Sequence, residues 1–342
     1  MVLGRVLWGL VLVLVVTALV FLIFHLLPSE DPAEARVGSG ASAAQLDAVR
    51  HAFGLDQPVL RQYGDFVGGL FHFDLGTSYR FGTPVAGMIL DRLPATLLLV
   101  AGALVIWLLV GVAGGIWAAS KRGSTGDRIA GGGSMLLIST PVFVVGYVAL
   151  LLFADQAGSL LPVLPGIGAY SEADGLPGRL AALILPWLVL GISSAAVYFR
   201  LTRVAIGDEL GQRYVTAARA RGTSERRILW RHAARTGFAP LLTLLGLDLA
   251  LIVAGNVILV EAVFNVPGVG GLLVSSIERS DLPVIQGVVL LSAVLVIVVN
   301  LIVDLLQLRL DPRIRPPARP RRRRSPDGEV PPPARWSSTA GP

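Results

Sequence analysis

Few residues in this chain could do chemistry, and those few sit in apolar surroundings. Asp248 lies midway along an apolar run, roughly two helical turns before Asn256. A carboxylate at such depth is costly, faces a bundle interior or a water-filled path, and by default marks a function. It can hold a cationic group or couple to an ion. The plainer reading is a buried carboxyl bonded to Ser, Thr or backbone of a neighbouring helix. Glu261 and Asp304 fall near the ends of apolar runs, where helix-end hydrogen bonding or a pair with an interfacial Arg accounts for them. Ser193 and Ser194 offer hydroxyls, but of His25, His51, His72 and His232 only His25 is near an apolar run, so a Ser–His pair in one pocket is not expected. With no Cys there is no thiolate site or disulfide, and no metal site is expected. Gly131-Gly-Gly-Ser134 lacks the Lys that would reach phosphates.

The elements that must carry these residues are membrane helices. The chain of 342 residues is 54% hydrophobic and only 15% charged, with mean hydropathy +0.69, against about 25% charged in a soluble domain. A spanning helix needs about 20 apolar residues. Six segments qualify: Val6–Leu27, Leu93–Ser120, Ile129–Phe153, Leu180–Phe199, Phe238–Val260 and Leu282–Leu306. The first is long for a signal-peptide core and lacks a small-residue cleavage site, so it reads as a retained span. Lys121, Arg122 and Arg128 lie between spans two and three, eight Arg between Arg203 and Arg235 separate spans four and five, and the tail carries Arg309 to Arg324. The other loops are poor in base, which places both termini in the cytoplasm. Residues 28–92 form an external segment with helical spacing at Leu46, Val49 and Phe53 and at Leu60, Tyr63, Val67 and Leu70, around a Gly54–Pro58 turn. Residues 93–311 form the core, and 312–342 a Pro/Arg-rich tail that reads as disordered. Pro141 and Pro186 are candidates to bend spans three and four, and Gly111, Gly114, Gly115 and Gly131–Gly133 permit close helix packing.

Between spans four and five, about 213–235, lies a basic segment with small residues at Ala217, Ala218, Ala220 and Gly222. Ala218 and Gly222 share a helix face, so another backbone can approach closely. Gly222 breaks the helix, and Thr223 or Ser224 can cap a second one that ends before Pro240. A helix–turn–helix plug on a cytoplasmic partner and an amphipathic helix on the membrane surface are both compatible with these residues.

Tyr214-Val-x-x-Ala-Arg-Ala-Arg-Gly222, preceded by Arg200-Leu-Thr-Arg203 and followed by Glu261-Ala-Val-Phe-Asn-Val-Pro-Gly-Val-Gly270, Asp281-Leu-Pro-Val-Ile-Gln-Gly287, Asn300-Leu-Ile-Val-Asp304 and Asp311-Pro-Arg-Ile-Arg315, resembles permease subunits of binding-protein-dependent ABC importers, in the dipeptide, oligopeptide and nickel branch. Phe73-Asp-Leu-Gly-Thr-Ser78 and Arg92-Leu-Pro-Ala-Thr96 extend the resemblance over about residues 5–315. Thr216 stands where that family carries Glu, and at Asp248 the family is more often uncharged. The resemblance implies an all-α integral membrane fold with six transmembrane helices of the type I importer kind and an external helical subdomain between spans one and two. It implies no catalysis and no cofactor in this chain. Ala217, Ala218, Arg219, Arg221, Gly222 and Thr223 would seat in a cleft of a cytoplasmic ATPase. Asp248, Asn256 and Glu261 would line the substrate path. Pro267, Gly268 and Gly270 would form an outer gate. Implied partners are a second permease, either a different chain or a second copy, two ATPase subunits, an external substrate-binding protein and the lipid of a bacterial cytoplasmic membrane, with no nucleic acid. The rival is a stand-alone secondary transporter using Asp248, which would need further coupling carboxylates.

Overall fold

The structure, a computed structural model, describes residues 2–26, 40–52 and 56–310. The tail from 311, the whole 27–39 stretch and part of the Gly54–Pro58 turn lie outside the described residues, as do the side chains of His25, His232 and Asp304. Among the described residues the elements are all helical. In chain order they are α1 (Val2–Leu26), α2 (Ala43–Ala52), α3 (Val59–Leu70), α4 (Val85–Ser120), α5 (Thr125–Ser139), α6 (Val142–Phe153), α7 (Gly175–Ala182), α8 (Ile184–Leu210), α9 (Arg213–Ala220), α10 (225–264), α11 (Val269–Glu278) and α12 (Leu282–Leu310). On length and apolarity alone, Val85–Ser120, Ile184–Leu210 and Leu282–Val303 can each cross a bilayer, and α5 with α6 and 257–264 with α11 form two bent pairs. In α1 the apolar stretch among described side chains is Leu7–Ile23. Exposed Leu109, Leu136 and Leu151 belong to an apolar outer face, as lipid requires and water does not tolerate over a large area.

The expected third span is not one straight helix. Pro141 has no N–H and disfavours the α region at the residue before it. Thr140 is accordingly extended, and α6 leaves α5 at 115°. Thr140 Oγ1 donates to the Leu136 carbonyl at 2.8 Å, returning a partner to a group freed by the break. Pro186 sits in the first turn of α8, three residues past Leu183, where α7 ends and α8 begins, so the expected fourth span is interrupted just before it. The second span starts two turns earlier than expected, directly after Pro84, and carries a π segment at Leu108–Ala113.

A second difference concerns the helix after the basic turn. It does not stop before Pro240. Residues 225–264 run as one helix with π segments at Ile228–Ala233 and Ile252–Asn256. Forty residues at 1.5 Å rise span about 60 Å, twice the hydrocarbon thickness of roughly 30 Å. This rod joins the basic end of the molecule to the opposite end.

α8 is the central helix, packed along α4; α12 lies between α1 and α10. The α4–α8 seam is set by small residues. A Cβ at Gly111 would come within 2.8 Å of Tyr198 Cβ, one at Gly115 within 2.6 Å of Thr202 Cβ, and one at Gly191 within 2.8 Å of the Ala103 carbonyl. Gly131, Gly132 and Gly133 do not have this role, since nothing lies within 4 Å of a Cβ there. At the far end, α3 rests on α1 through Tyr63, whose ring packs on Phe21 at 5.4 Å. The loop before α4 is held by Asp281, which is 1% exposed and accepts from the Ser78 hydroxyl and from the Tyr79 N–H at 3.0 Å.

Gly111→Val therefore drives a side chain into the α4–α8 seam. The purified subunit should lose about 1–3 kcal/mol, read as a lowered Tm. Gly131→Val, which meets open space, should stay within about 0.5 kcal/mol of the parent.

Candidate functional sites

The basic turn is built by its own sequence. α9 ends at Ala220, and Gly222 takes φ +77°, a left-handed conformation that only Gly adopts without cost. The Gly222 N–H then bonds the Arg219 carbonyl at 2.9 Å and the Thr223 N–H the Ala218 carbonyl at 3.1 Å, the paired bonds of a Schellman stop. Ser224 takes the N-cap position of α10 through its carbonyl, without a side-chain cap. Arg219 clasps Glu225 across the turn with bonds of 2.7 and 3.1 Å. Its guanidinium holds the Glu225 carboxyl below the usual carboxylate range, so the clasp stays ionised at neutral pH.

The six residues expected to couple are thus brought together, but with one reassignment. Ala218 does not face outward. It is 6% exposed and packs with Val215 and Ile228 in a small core inside the plug, against Leu210. The outer face is made by Ala217, Ala220, Arg221 and Gly222, all exposed. Among the described residues, its chain neighbours apart, no atom lies within 4 Å of a Cβ at Gly222, so this apex is open to a partner. Behind it, Asp127 is 1% exposed and receives the Gly123 N–H at 2.8 Å and a two-bond fork from Arg203, one arm at 2.8 Å. Ser124 accepts from the Asp127 N–H at 3.2 Å, a capping arrangement that fixes the start of α5. This pair ties the α4–α5 loop to α8 directly beside the plug.

At the far end, Asn265 adopts φ 51° and stops α10, Pro267 prevents its continuation, and α11 departs at 80°. The new helix presents unpartnered N–H groups, and Glu261 supplies them with an acceptor. Its side chain is 0% exposed. Gly270 N–H and Gly271 N–H donate to Oε2 at 2.7 and 3.1 Å, the Thr96 hydroxyl donates to Oε1 at 2.6 Å, and the Val269 N–H donates to that hydroxyl at 2.8 Å. A helix N-terminus favours a carboxylate in this place. The glycines follow from the same geometry: a Cβ at Gly268 would overlap the carboxyl, and one at Gly270 would come within 2.7 Å of Ile258 Cα. Glu261 therefore does not line a path with Asp248 and Asn256; it is consumed in holding the loop of Pro267, Gly268 and Gly270. Thr96 was overlooked as its partner, although it ends the Arg92–Thr96 motif.

Asp248 and Asn256 do share a cavity, of about 350 Å³, between α4, the α5–α6 break, α8 and α10. Asn256 is exposed in it and makes no side-chain hydrogen bond to the described residues. Ser194 is committed to the Leu190 carbonyl at 2.8 Å and no His lines the cavity, so a Ser–His pair is not assembled here. The described residues contain no cluster of three metal-ligating side chains.

Glu261→Ala leaves two backbone donors and the Thr96 hydroxyl unpartnered, each worth about 1–3 kcal/mol when buried. Amide hydrogen exchange at 268–272 should accelerate more in Glu261→Ala than in Glu261→Gln, which keeps an acceptor. Equal protection in both variants and the parent would contradict this assignment.

Two family models match the chain. One, described as the binding-protein-dependent transport system inner membrane component, covers residues 111–316, and one for the N-terminal part of such membrane components covers residues 1–100. A Brucella abortus protein named as a peptide transport system permease is 36% identical over 315 residues, 92% of this chain and 98% of that protein. The glutathione transport system permease protein of Escherichia coli is 38% identical over 301 residues, 88% of this chain and 94% of its own length. With a plug at the basic end, a broken helix at the far end and this match along nearly its whole length, the chain belongs to the family of binding-protein-dependent transport system inner membrane components.

Proposed function

We propose that this permease admits peptides or related small solutes, and that its two ends act together through α10. Permeases of this family are not enzymes; they work with separate ATPase subunits and a substrate-binding protein. In the proposed arrangement α1, α4, the broken α5–α6 segment, α8, α10 and α12 make six crossings. Both termini and the basic turn face the cytoplasm, in keeping with the arginines around it. A second permease, different from this chain or a second copy, completes the path. The substrate-binding protein docks at the opposite face, over the 28–92 segment and α11, where Pro267, Gly268 and Gly270 form the gate. The substrate class rests on the names of the relatives from Brucella abortus and Escherichia coli.

The observation that carries this reading is the plug. Its apex at Ala217, Ala220, Arg221 and Gly222 is exposed and unobstructed, its base is locked by Arg219–Glu225 and Asp127–Arg203, and it is mounted on a single helix that reaches the far-end loop. A cleft on an ATPase that closes on this apex would move α10 as a rod. A stand-alone secondary transporter needs more than one coupling carboxylate, and Asp248 is the single carboxylate lining the membrane cavity.

The test is purification in mild detergent from native membranes, with co-purifying chains identified by mass spectrometry. A P-loop ATPase should accompany the parent and fall by about tenfold, equivalent to 1.4 kcal/mol, with Gly222→Trp. Ala217→Trp, which carries no backbone strain, should do the same. An ATPase that co-purifies equally with all three would remove the plug from the interface; none with the folded parent would remove the coupling.

A further inference from the structure

We propose that the cavity around Asp248 is an intramembrane subsite for a primary ammonium group that carries a carbonyl next to it, as at the amino terminus of a peptide. This rests on the importer reading above and adds the chemistry that the path selects.

Polar groups buried in a membrane protein normally find partners, because the alternative is a desolvated donor or acceptor. This cavity breaks that rule repeatedly. Trp107 and Tyr198 line it and are 2% and 1% exposed, yet the indole N–H and the phenol hydroxyl have no hydrogen-bond partner. The Ser193 hydroxyl, also in the lining, is buried without a partner. Asp248 is half-buried and makes no ion pair with any described residue. The Tyr198 hydroxyl lies beside its carboxylate. Outside the cavity the buried acids Asp127, Glu261 and Asp281 are all engaged, and among the described residues two further side-chain atoms, Gln57 Oε1 and Thr202 Oγ1, are buried without a partner; the cavity gathers three.

The unused groups define a ligand. An ammonium presents three donors and no acceptor. The Asp248 carboxylate supplies its counter-charge, and the oxygens of Tyr198 and Ser193 can accept from it. The indole N–H of Trp107 is a donor only, so a bare cation leaves it unsatisfied. A carbonyl adjacent to the ammonium satisfies it. The indole and phenol rings meet edge to face with centroids 4.8 Å apart, and an aromatic face also favours a cation. Leu137, Ile138, Val197 and Leu251 give the apolar remainder of a residue a wall to lie on. The volume of about 350 Å³ falls within the usual range for ligand pockets, about 300–1,000 Å³, and admits a terminal residue. Two of the three π segments border the cavity: Trp107 immediately precedes Leu108–Ala113, and Ile252–Asn256 contributes Ile252 and Asn256. Such segments recur at functional sites because they re-aim side chains at the cost of regular bonding.

The experiment uses the assembled permease–ATPase complex in nanodiscs and two photoreactive tripeptides of one sequence, one with a free amino terminus and one N-acetylated. Labelled segments are mapped by mass spectrometry. The free-amine probe should label the walls at Trp107, Pro141, Ser193 or Asn256, and excess trialanine should compete. Labelling should fall by about tenfold or more, a difference of about 1.4 kcal/mol, on acetylation and in Asp248→Asn. Tyr198→Phe removes only the hydroxyl beside Asp248 and keeps the packed ring, and labelling should drop severalfold; this variant serves if Asp248→Asn does not assemble. Equal labelling by both probes, or labelling indifferent to both substitutions, overturns the subsite. ATP-dependent uptake of the free-amine peptide, measured in parallel with the binding protein present, separates the two levels: uptake without amine-selective labelling overturns the subsite alone, and no uptake overturns both.

Discussion

A chain that breaks its helices inside or beside a membrane must satisfy the backbone groups it frees, because lipid offers them nothing. Much of this structure follows from how three buried carboxyl groups meet that demand. Glu261 receives the first amides of α11 together with the Thr96 hydroxyl. Asp281 gathers Ser78 and Tyr79 at the foot of α12. Asp127 gathers Gly123 and Arg203 at the foot of α5. Each fastens a loop to a helix distant in sequence, so the turns are held as firmly as the spans. Removing one partner from such a site leaves buried groups unpaired, which costs more than the intact site contributes.

These fastenings give the two ends of the molecule a mechanical relation. The plug has its own small core of Val215, Ala218 and Ile228, with the exposed Arg219–Glu225 pair across its turn. The far-end loop is held through Glu261 and Thr96. Between them α10 is continuous, and its π segment at Ile252–Asn256 sits where the cavity opens beside it. A displacement at the plug therefore has a direct route to the loop and passes the Asp248 cavity on the way. Asp248 differs from the three buried acids: it is half-buried, has the Tyr198 hydroxyl beside it and no ion pair among the described residues, and it opens on the cavity, where a passing ligand has something to bind.

What the sequence revealed depended on whether the responsible residues were neighbours in the chain. The stop at Gly222 and the bend at Pro141 each rest on the conformational preference of one or two residues, and both are legible. The partners of the buried acids were not: Arg203 is 76 residues from Asp127, Thr96 is 165 from Glu261, and Ser78 is 203 from Asp281. Both members of two of these pairs stood in motifs that had been read separately. Pro240 misled, because a rule drawn from helices in water ends a helix at proline, whereas packing inside a bundle carries α10 straight through it. Ala218 misled for a related reason. A small residue permits close approach by anything, and here the approaching group is Ile228 of the same plug. Of the residues that give the cavity its character, Ser193 shows in sequence only as a hydroxyl without a His, and Trp107 and Tyr198 read as ordinary aromatic members of spans two and four.

The most direct measurement of the account is whether nucleotide bound at one end is felt at the other. The chain has no Cys, so a single Ser275→Cys in α11 reports on the far-end loop without background; Ser275 is partly exposed there and bonds only to the Leu272 carbonyl, at 3.0 Å. Its rate of reaction with a membrane-impermeant maleimide would be followed in the reconstituted importer, with ATP trapped by a hydrolysis-deficient ATPase and without nucleotide. The account predicts that trapping changes the rate severalfold, and that the change disappears when Gly222→Trp uncouples the plug. A rate indifferent to trapped ATP, in a complex whose plug is occupied, would contradict the transmission along α10 on which the account stands.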